Sequence, residues 1–318
     1  SDAPAALVAI ALEVEPSAIS LVVRPGETRA QTLTTRLRMS DGTTQAVTAT
    51  EVEFNELGLG RVELPGTFTT YGRGGGEGLI RVVAGAHSAT VRVEVRIEEV
   101  TFGAGLGPEV TAGFDGPTGP AMLPDIVYPL EGAVLPQNVY PTDVQWLSGA
   151  PGDVFRVTLS KAHARLTAYL PEDGSRHFLP EGDAWRALVR SDPASDLTID
   201  VVRRESTGTR TAFTPVHIRF ARAAITGSVY YWDIEAGRIM RVDDGTASRV
   251  NFMPTPPRGI YNGDCVGCHT VSPSGRYMAG RLDGGDNIGA IFDLTQDLSG
   301  PTPPTTFPLS ALAPTSTR

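Results

Sequence analysis

The stretch from Ala89 to Ile97 reads Ala-Thr-Val-Arg-Val-Glu-Val-Arg-Ile, with an apolar residue at every second position. This alternation predicts a β-strand that buries one face and exposes the other. Residues 33–39 repeat the pattern, and the Ser40–Thr43 segment that follows contains the Asp-Gly pair typical of a hairpin turn. These segments predict a chain built from short antiparallel strands.

The rest of the chain extends this interpretation. We find no amphipathic helix longer than three turns, and short strands separated by turn residues favour β-sandwiches. The expected fold class is all-β, with two β-sandwich domains followed by a partial propeller-like β-sheet region that carries a CxxCH loop. The two β-sandwich domains are expected at residues 1–100 and 125–222, with a Gly/Pro-rich linker between them at 101–124. The propeller-like region is expected at residues 223–318 and, by its length, is only part of a propeller.

Composition excludes several classes of protein. The chain has 318 residues, a hydrophobic fraction of 41% and a formal charge of −9. This composition supports packed cores and argues against a nucleic-acid partner, which needs concentrated Lys and Arg. No apolar run reaches the roughly 18 residues of a membrane span, so no transmembrane segment is expected. Residues 5–12 are too short an apolar run for an intact signal peptide.

The chemistry of the sequence is concentrated in Cys265-Val266-Gly267-Cys268-His269, which contains both cysteines of the chain. Cys-x-x-Cys-His is the attachment motif of c-type haem: each thiol adds to one vinyl group, and the histidine becomes an axial ligand. Chance gives this arrangement with a probability on the order of one in ten thousand. Cys265, Cys268 and His269 are therefore predicted to hold a covalent haem c.

Two other uses of the motif stay open. The cysteines can form a local disulfide or a redox-active thiol pair. A zinc site is the third alternative, although a structural site needs a fourth ligand and the chain has no further cysteine.

Met278 is the first candidate for the distal iron ligand, followed by Met253 and Tyr261. The alternatives are that Met278 is a core residue and that the distal position has no protein ligand. The segment Asp283–Asn287 resembles either a Ca²⁺-binding loop or a plain solvated turn. Three scattered histidines are interpreted as surface or core residues: His163, His177 and His217.

Several segments resemble known families. Residues 10–98, with Arg24-Pro25-Gly26-Glu27, the Ser40–Thr43 turn and the strand that ends near Val95, resemble bacterial Ig-like domains. That resemblance implies a spacer or adhesion module.

Residues 125–222 resemble a fibronectin type III-like sandwich, in which a Pro-rich entry precedes a strand with a buried Trp, here Trp146. Its expected core residues are Tyr169, Trp185, Val201 and Ile218.

The last hundred residues resemble blades of TolB-like propellers. The matching piece is the Ser272–Ala279 turn and strand, with Asn287–Leu294 as the next strand. Before it, Gly227–Asp233 and Arg238–Val242 are predicted to pair as strands. A closed propeller needs at least four blades of about 40–50 residues, which this region is too short to supply.

Propellers with a CxxCH motif near their first blade occur among secreted bacterial haem proteins. This chain is similar to predicted myxobacterial lipoproteins that combine Ig-like, fibronectin-like and propeller parts. The resemblance implies a secreted protein located in the periplasm, at the cell surface or outside the cell. It carries Cys265 and Cys268 over as haem-attachment residues and His269 as the proximal ligand. We expect electron transfer or haem-based redox chemistry with a redox partner protein. The alternative is a structural or adhesive protein that self-assembles through its β-edges.

Overall fold

A computed structural model describes most of the chain. The described residues are 7–120, 126–224, 226–233, 235–236, 238–243, 246, 248–258, 266–282 and 289–307. The chain divides into two compact units. Unit 1 comprises Ser1–Gln137 and Pro141–Ala224, and unit 2 comprises Asn138–Tyr140 and Ile225–Arg318.

The first half of unit 1 is a β-sandwich. Strands β2, β10, β9 and β6 lie side by side, and two small sheets, β1-β4-β5 and β3-β8-β7, supply the other strands. The bounds are β1 Ala9–Glu15, β2 Ala18–Val23, β3 Ala30–Thr32, β4 Thr34–Met39, β5 Thr44–Ala46, β6 Glu51–Phe54, β7 Gly60–Glu63, β8 Thr67–Thr70, β9 Gly76–Ala84 and β10 His87–Phe102.

Strand β10 confirms the alternation predicted for residues 89–97. Within residues 89–97 the three valines and Ile97 are buried, while the intervening Thr90, Arg92 and Arg96 are exposed, as period-two patterning requires. The predicted hairpin at Ser40–Thr43 is also present, since β4 pairs antiparallel with β5 across it.

The second half of unit 1 continues the same sheet. Beyond Ile97, β10 pairs in parallel with β16, from Ile97 opposite Ala164 to Phe102 opposite Tyr169. Strands β15, β18 and β19 extend the sheet, while β12, β14 and β17 form a separate one. The bounds are β11 Gly119–Pro120, β12 Ile126–Tyr128, β13 Val134–Pro136, β14 Val144–Trp146, β15 Val154–Lys161, β16 Ala164–Pro171, β17 His177–Phe178, helix α1 Gly182–Arg190, β18 Leu197–Arg204, β19 Arg210–Ala212 and β20 Val216–Ala221.

The core of this second half contains the residues expected from the sequence. Tyr169, Trp185, Val201 and Ile218 are all buried, and so is Trp146 on β14. Trp185 reaches the core from α1, a nine-residue helix that buries one face. A helix of under three turns gives too short a periodic pattern to be recognised in the sequence.

The segment for which a linker is predicted has local structure. Strand β10 continues to Phe102, a 3-10 helix spans Pro108–Phe114, and β11 pairs in parallel with β19. Phe114 is buried against Tyr169, with their ring centroids 5.3 Å apart. Glycine and proline therefore shape short turns here, and one aromatic side chain attaches the segment to the sheet. Residues 121–125 lie outside the described part of the chain.

The two halves of unit 1 meet at the hairpin tip between β15 and β16. Asp192, directly after α1, accepts hydrogen bonds from the backbone N–H of His163 at 2.8 Å and pairs with its ring Nδ1 at 2.6 Å. The backbone N–H of Gly75, from the first half, donates to Ser191 Oγ at 2.7 Å. The carbonyl of His163 accepts from the Ile97 N–H at 2.9 Å. We call this group of contacts the joint.

Unit 2 contains two three-stranded antiparallel sheets, β21-β22-β23 and β24-β25-β26. The predicted strand pair near residues 227–242 and the strands after Ser272 and Asn287 are confirmed. In the described part of unit 2 these sheets do not close into a ring, so a propeller is not established. The bounds are β21 Ser228–Asp233, β22 Arg238–Asp243, β23 Arg249–Asn251, β24 Val266–Val271, β25 Tyr277–Leu282 and β26 Gly289–Asp293.

Candidate functional site

The Cys-x-x-Cys-His motif enters β24, and a β-bulge interrupts that strand at the motif. Gly267 pairs with Arg281 and Thr270 pairs with Ala279, so Cys268 and His269 both lie opposite the single residue Gly280. A bulge of this kind disrupts the ladder locally and redirects the side chains of the bulged strand.

Cys268 occupies the strained position of the bulge. Its φ is +45°, a left-handed conformation that is uncommon for any residue with a Cβ. The residue is exposed, so its thiol can be reached by a reactant from solvent. Strain in the backbone costs on the order of 1–3 kcal/mol and is frequently retained at functional sites.

His269 follows Cys268 and is half-buried. Its Nε2 lies 3.3 Å from the carbonyl oxygen of Tyr230 on β21, a contact within unit 2 at the long end of the hydrogen-bond range. A carbonyl oxygen only accepts, so this contact requires Nε2 to carry the ring proton. Iron ligation through Nε2 requires that proton to move to Nδ1.

Gly280, opposite the bulge, packs closely against Val266. A Cβ added at Gly280 would approach Val266 Cγ1 to 2.6 Å and Phe292 Cε2 to 3.6 Å. The first of these distances is too short for a carbon contact, so Val266 would have to shift for any larger residue at position 280. This close packing is not visible in the sequence, because the pairing across β24 and β25 has to be known first.

Met278 lies in the hydrophobic core of unit 2. It is fully buried on β25 and pairs across the strands with Val271. The same apolar cluster contains Met253, which is 2% exposed, together with Phe292 and Leu298. This is the core position that the sequence left open as the alternative for Met278, and we leave Met278 and Met253 out of the proposed haem site.

Three parts of the predicted site lie outside the described residues: Cys265, Tyr261 and the segment Asp283–Asn287. The geometry of the site therefore rests on Cys268, His269 and their neighbours.

The scattered histidines have carboxylate partners. His163 pairs with Asp192 at 2.6 Å, His177 pairs with Asp143 at 2.7 Å, and His217 Nδ1 lies 3.4 Å from a Glu131 oxygen. Among the described residues, no group of three or more His, Cys, Asp or Glu side chains is arranged to hold a metal ion.

The donor atoms of β24 fit the attachment of a haem. Cys268 offers a reachable thiol, and the adjacent His269 offers a nitrogen whose present contact is weak. When bound, the haem would supply an iron that can change its oxidation state or bind a further ligand. Cys268 would hold the ring by a thioether bond, and His269 would ligate the iron.

Comparisons with known proteins give little beyond the fold class. No protein-family model matches the chain, and no curated protein matches it. None of the helices in the described ranges is long and apolar enough to cross a membrane.

Among solved structures, the chain is similar to domains 5–6 of the S-layer protein SbsC, with 11% identity, a TM-score of 0.23, and coverage of 68% of this chain and 100% of that one. It is similar to titin domains Z1Z2 in complex with telethonin, with 16% identity, a TM-score of 0.20, and coverage of 69% and 100%. It is also similar to fibronectin(III)-like modules of Clostridium thermocellum CbhA, with 11% identity, a TM-score of 0.20, and coverage of 67% and 97%.

These neighbours are Ig-like and fibronectin III-like β domains, which an all-β sandwich fits. Their TM-scores are too low to support an argument, so the architecture rests on the strands described above.

Proposed function

We propose that the chain carries a covalent c-type haem, attached through Cys265 and Cys268 and ligated by His269. The observation that carries this proposal is the Cys265–His269 motif in a chain with no other cysteine. The exposed thiol of Cys268 and its neighbouring imidazole support it. The protein then acts in electron transfer or haem-based redox chemistry, with a redox partner, in the periplasm or at the cell surface. Unit 2 would be the start of a propeller.

The spectrum of the matured protein tests this proposal. The full chain is produced in a host with a cytochrome c maturation system, and its pyridine haemochrome spectrum is recorded after removal of non-covalent haem. We expect a c-type spectrum for the natural chain and none for Cys268→Ser/Cys265→Ser. Thr270→Ser, an exposed change on the same strand, serves as the matched control and should keep the spectrum.

The absence of any haem absorbance from the natural chain, with both thiols titratable, would refute the proposal.

A second candidate function is a structural or adhesive cell-surface protein that self-assembles, with Cys265 and Cys268 in a local disulfide. The observation that favours it is a continuous sheet in unit 1. Strand β10 belongs to this sheet in both halves, and the two halves form one compact unit. Size-exclusion chromatography over a range of concentrations tests self-assembly. A monomer at every concentration would count against it.

A further inference from the structure

Strand β10 has a second edge that its neighbours cover only in part. Val93 lies between β9 and β2, and Ile97 lies between β16 and β2, so β9 and β16 share one edge and β2 takes the other. On that other edge, pairing with β2 ends at Ile97. In the part of the chain that the structure describes, no strand pairs with this edge from Glu98 to Phe102. We call these five residues the open edge.

The sequence after β2 explains why the pairing ends. The chain turns at Arg24–Glu27, where the Glu27 N–H donates to the Arg24 carbonyl at 3.0 Å. If the parallel ladder went on, the next donor to the Glu98 carbonyl would be residue 25. That residue is Pro25, which has no N–H. The Glu98 carbonyl is therefore left without a donor from β2.

The ladder between β10 and β16 shows which backbone groups point to the open edge. The Gly103 N–H donates to the Tyr169 carbonyl at 2.7 Å, so this residue points its N–H toward β16. Successive residues of a strand point their N–H and C=O groups to opposite edges. The N–H and C=O of Val100, the Glu98 carbonyl and the Phe102 N–H therefore all point to the open edge. The Val100 side chain is 53% exposed.

These four backbone groups form a self-complementary set. A two-fold axis at Val100 pairs the open edges of two copies antiparallel, and the two Val100 residues then exchange both of their hydrogen bonds. In the same register, each Phe102 N–H donates to the Glu98 carbonyl of the second copy. Glu98 lies opposite Phe102 and Glu99 lies opposite Thr101, so no two carboxylates meet across the pair.

We propose that the open edge binds a second copy of this chain by antiparallel strand addition centred on Val100. This inference rests on the second candidate function, self-assembly, and names the edge and the register that would carry it. It is independent of the haem. Five residues on each side make a small interface, so the association is weak and increases with protein concentration.

Cross-linking through an introduced cysteine tests the register. The full chain carries Cys265→Ser and Cys268→Ser, so that the added cysteine is its only thiol. Hydrogen-bonded antiparallel partners have Cα atoms about 5.5 Å apart, which a disulfide can span. Val100→Cys should therefore form a disulfide-linked dimer under mild oxidation. Arg92→Cys is the matched control, since Arg92 is exposed on the same strand but has β9 and β2 on its two edges.

A charge at the centre of the register tests the same contact without a cross-link. In sedimentation velocity of the full chain, Val100→Lys should lower the dimer fraction roughly fivefold at a given concentration, because it sets two lysines opposite each other. Leu79→Lys should leave the dimer fraction unchanged. Leu79 is 47% exposed and lies on β9, which has β10 and β6 on its two edges.

A cross-linking yield no higher than that of Arg92→Cys, or a dimer fraction that Val100→Lys does not lower, would overturn the inference. If the natural chain still associates in that case, self-assembly stands and uses another surface. A natural chain that is monomeric at every concentration would refute self-assembly and the inference together. The haemochrome spectrum tests the proposed haem separately from all of these results.

Discussion

Close packing at single residues holds the joint of unit 1 together. Gly75 approaches the hairpin tip so closely that an added Cβ would lie 2.0 Å from the His163 carbonyl oxygen. The contact joins two backbone segments, so neither can move without disturbing β9 or the β15–β16 hairpin. This contact explains why glycine precedes β9 at this point.

Gly75→Ala is therefore expected to destabilise the protein by about 2–3 kcal/mol through overpacking. Gly58→Ala is the control, because a Cβ at Gly58 meets nothing within 4 Å. That variant should stay within about 0.5 kcal/mol of the natural chain. Urea unfolding gives both values from the midpoint at an unchanged slope. Equal stabilities for the two variants would show that the joint is not closely packed.

Lys161 makes a second residue-scale prediction. Its Nζ donates to the Ser191 carbonyl at 2.8 Å and lies 4.9 Å from the centre of the Phe220 ring. Burial lowers the pKa of Lys161 from 10.5 to about 8, although Asp192 opposes the shift. The unfolded chain then holds more protons than the folded chain between these pKa values, so stability should rise with pH across that window.

The measurement compares the natural chain with Lys161→Met by urea unfolding from pH 7 to pH 10.5. The stability difference, natural chain minus variant, should be constant below the folded pKa of about 8 and increase above it. A difference that stays constant throughout would contradict a buried, charged Lys161.

At the scale of elements, β10 connects the two halves of unit 1, because it pairs with strands of both. The sequence predicts this strand as far as Ile97, where alternation stops. Residues Glu98–Phe102 continue the strand without a clear apolar face, and they pair with β16 of the second half. Periodicity reports burial on a face and carries no information about a partner strand far away in sequence. The continuous sheet is therefore not predictable from the pattern.

The candidate site was predictable to a similar extent. The spacing of Cys265, Cys268 and His269 gives the donor types and their order. Three features depend on strand pairing: the bulge at Cys268, the Tyr230 carbonyl near His269 and the close packing at Gly280. The burial of Met278 was an open alternative, because an apolar side chain on a strand can face either the core or a cofactor.

Because β10 pairs with strands of both halves of unit 1, we expect the two halves to unfold together. Val91→Ala removes a buried methyl pair near the start of β10 and should cost roughly 2 kcal/mol. Hydrogen exchange of β18, in the other half, should then accelerate roughly thirtyfold if the halves open together. Thr90→Ala, on the exposed face of the same strand, is the control and should change neither half.

Faster exchange confined to the strands before Phe102 would show that the two halves open separately.

At the scale of the whole molecule, the proposed haem chemistry belongs to unit 2, and unit 1 has the structural part. Unit 1 joins two sandwich halves through β10 and the joint. Unit 2 carries Cys268 and His269 on a bulged strand, and its core contains Met253 and Met278. The central prediction for the molecule is that Cys265 and Cys268 hold a haem by covalent bonds.

The most direct measurement is the mass of the tryptic peptide 259–276, which lies between Arg258 and Arg276 and contains the whole motif. The matured full chain is reduced, denatured and digested before mass spectrometry. Thioether bonds survive reduction, so we predict a peptide heavier by the several hundred daltons of one haem. A peptide that has its unmodified mass after reduction would contradict the account. If the same peptide is lighter by two hydrogens before reduction, the two cysteines form a disulfide.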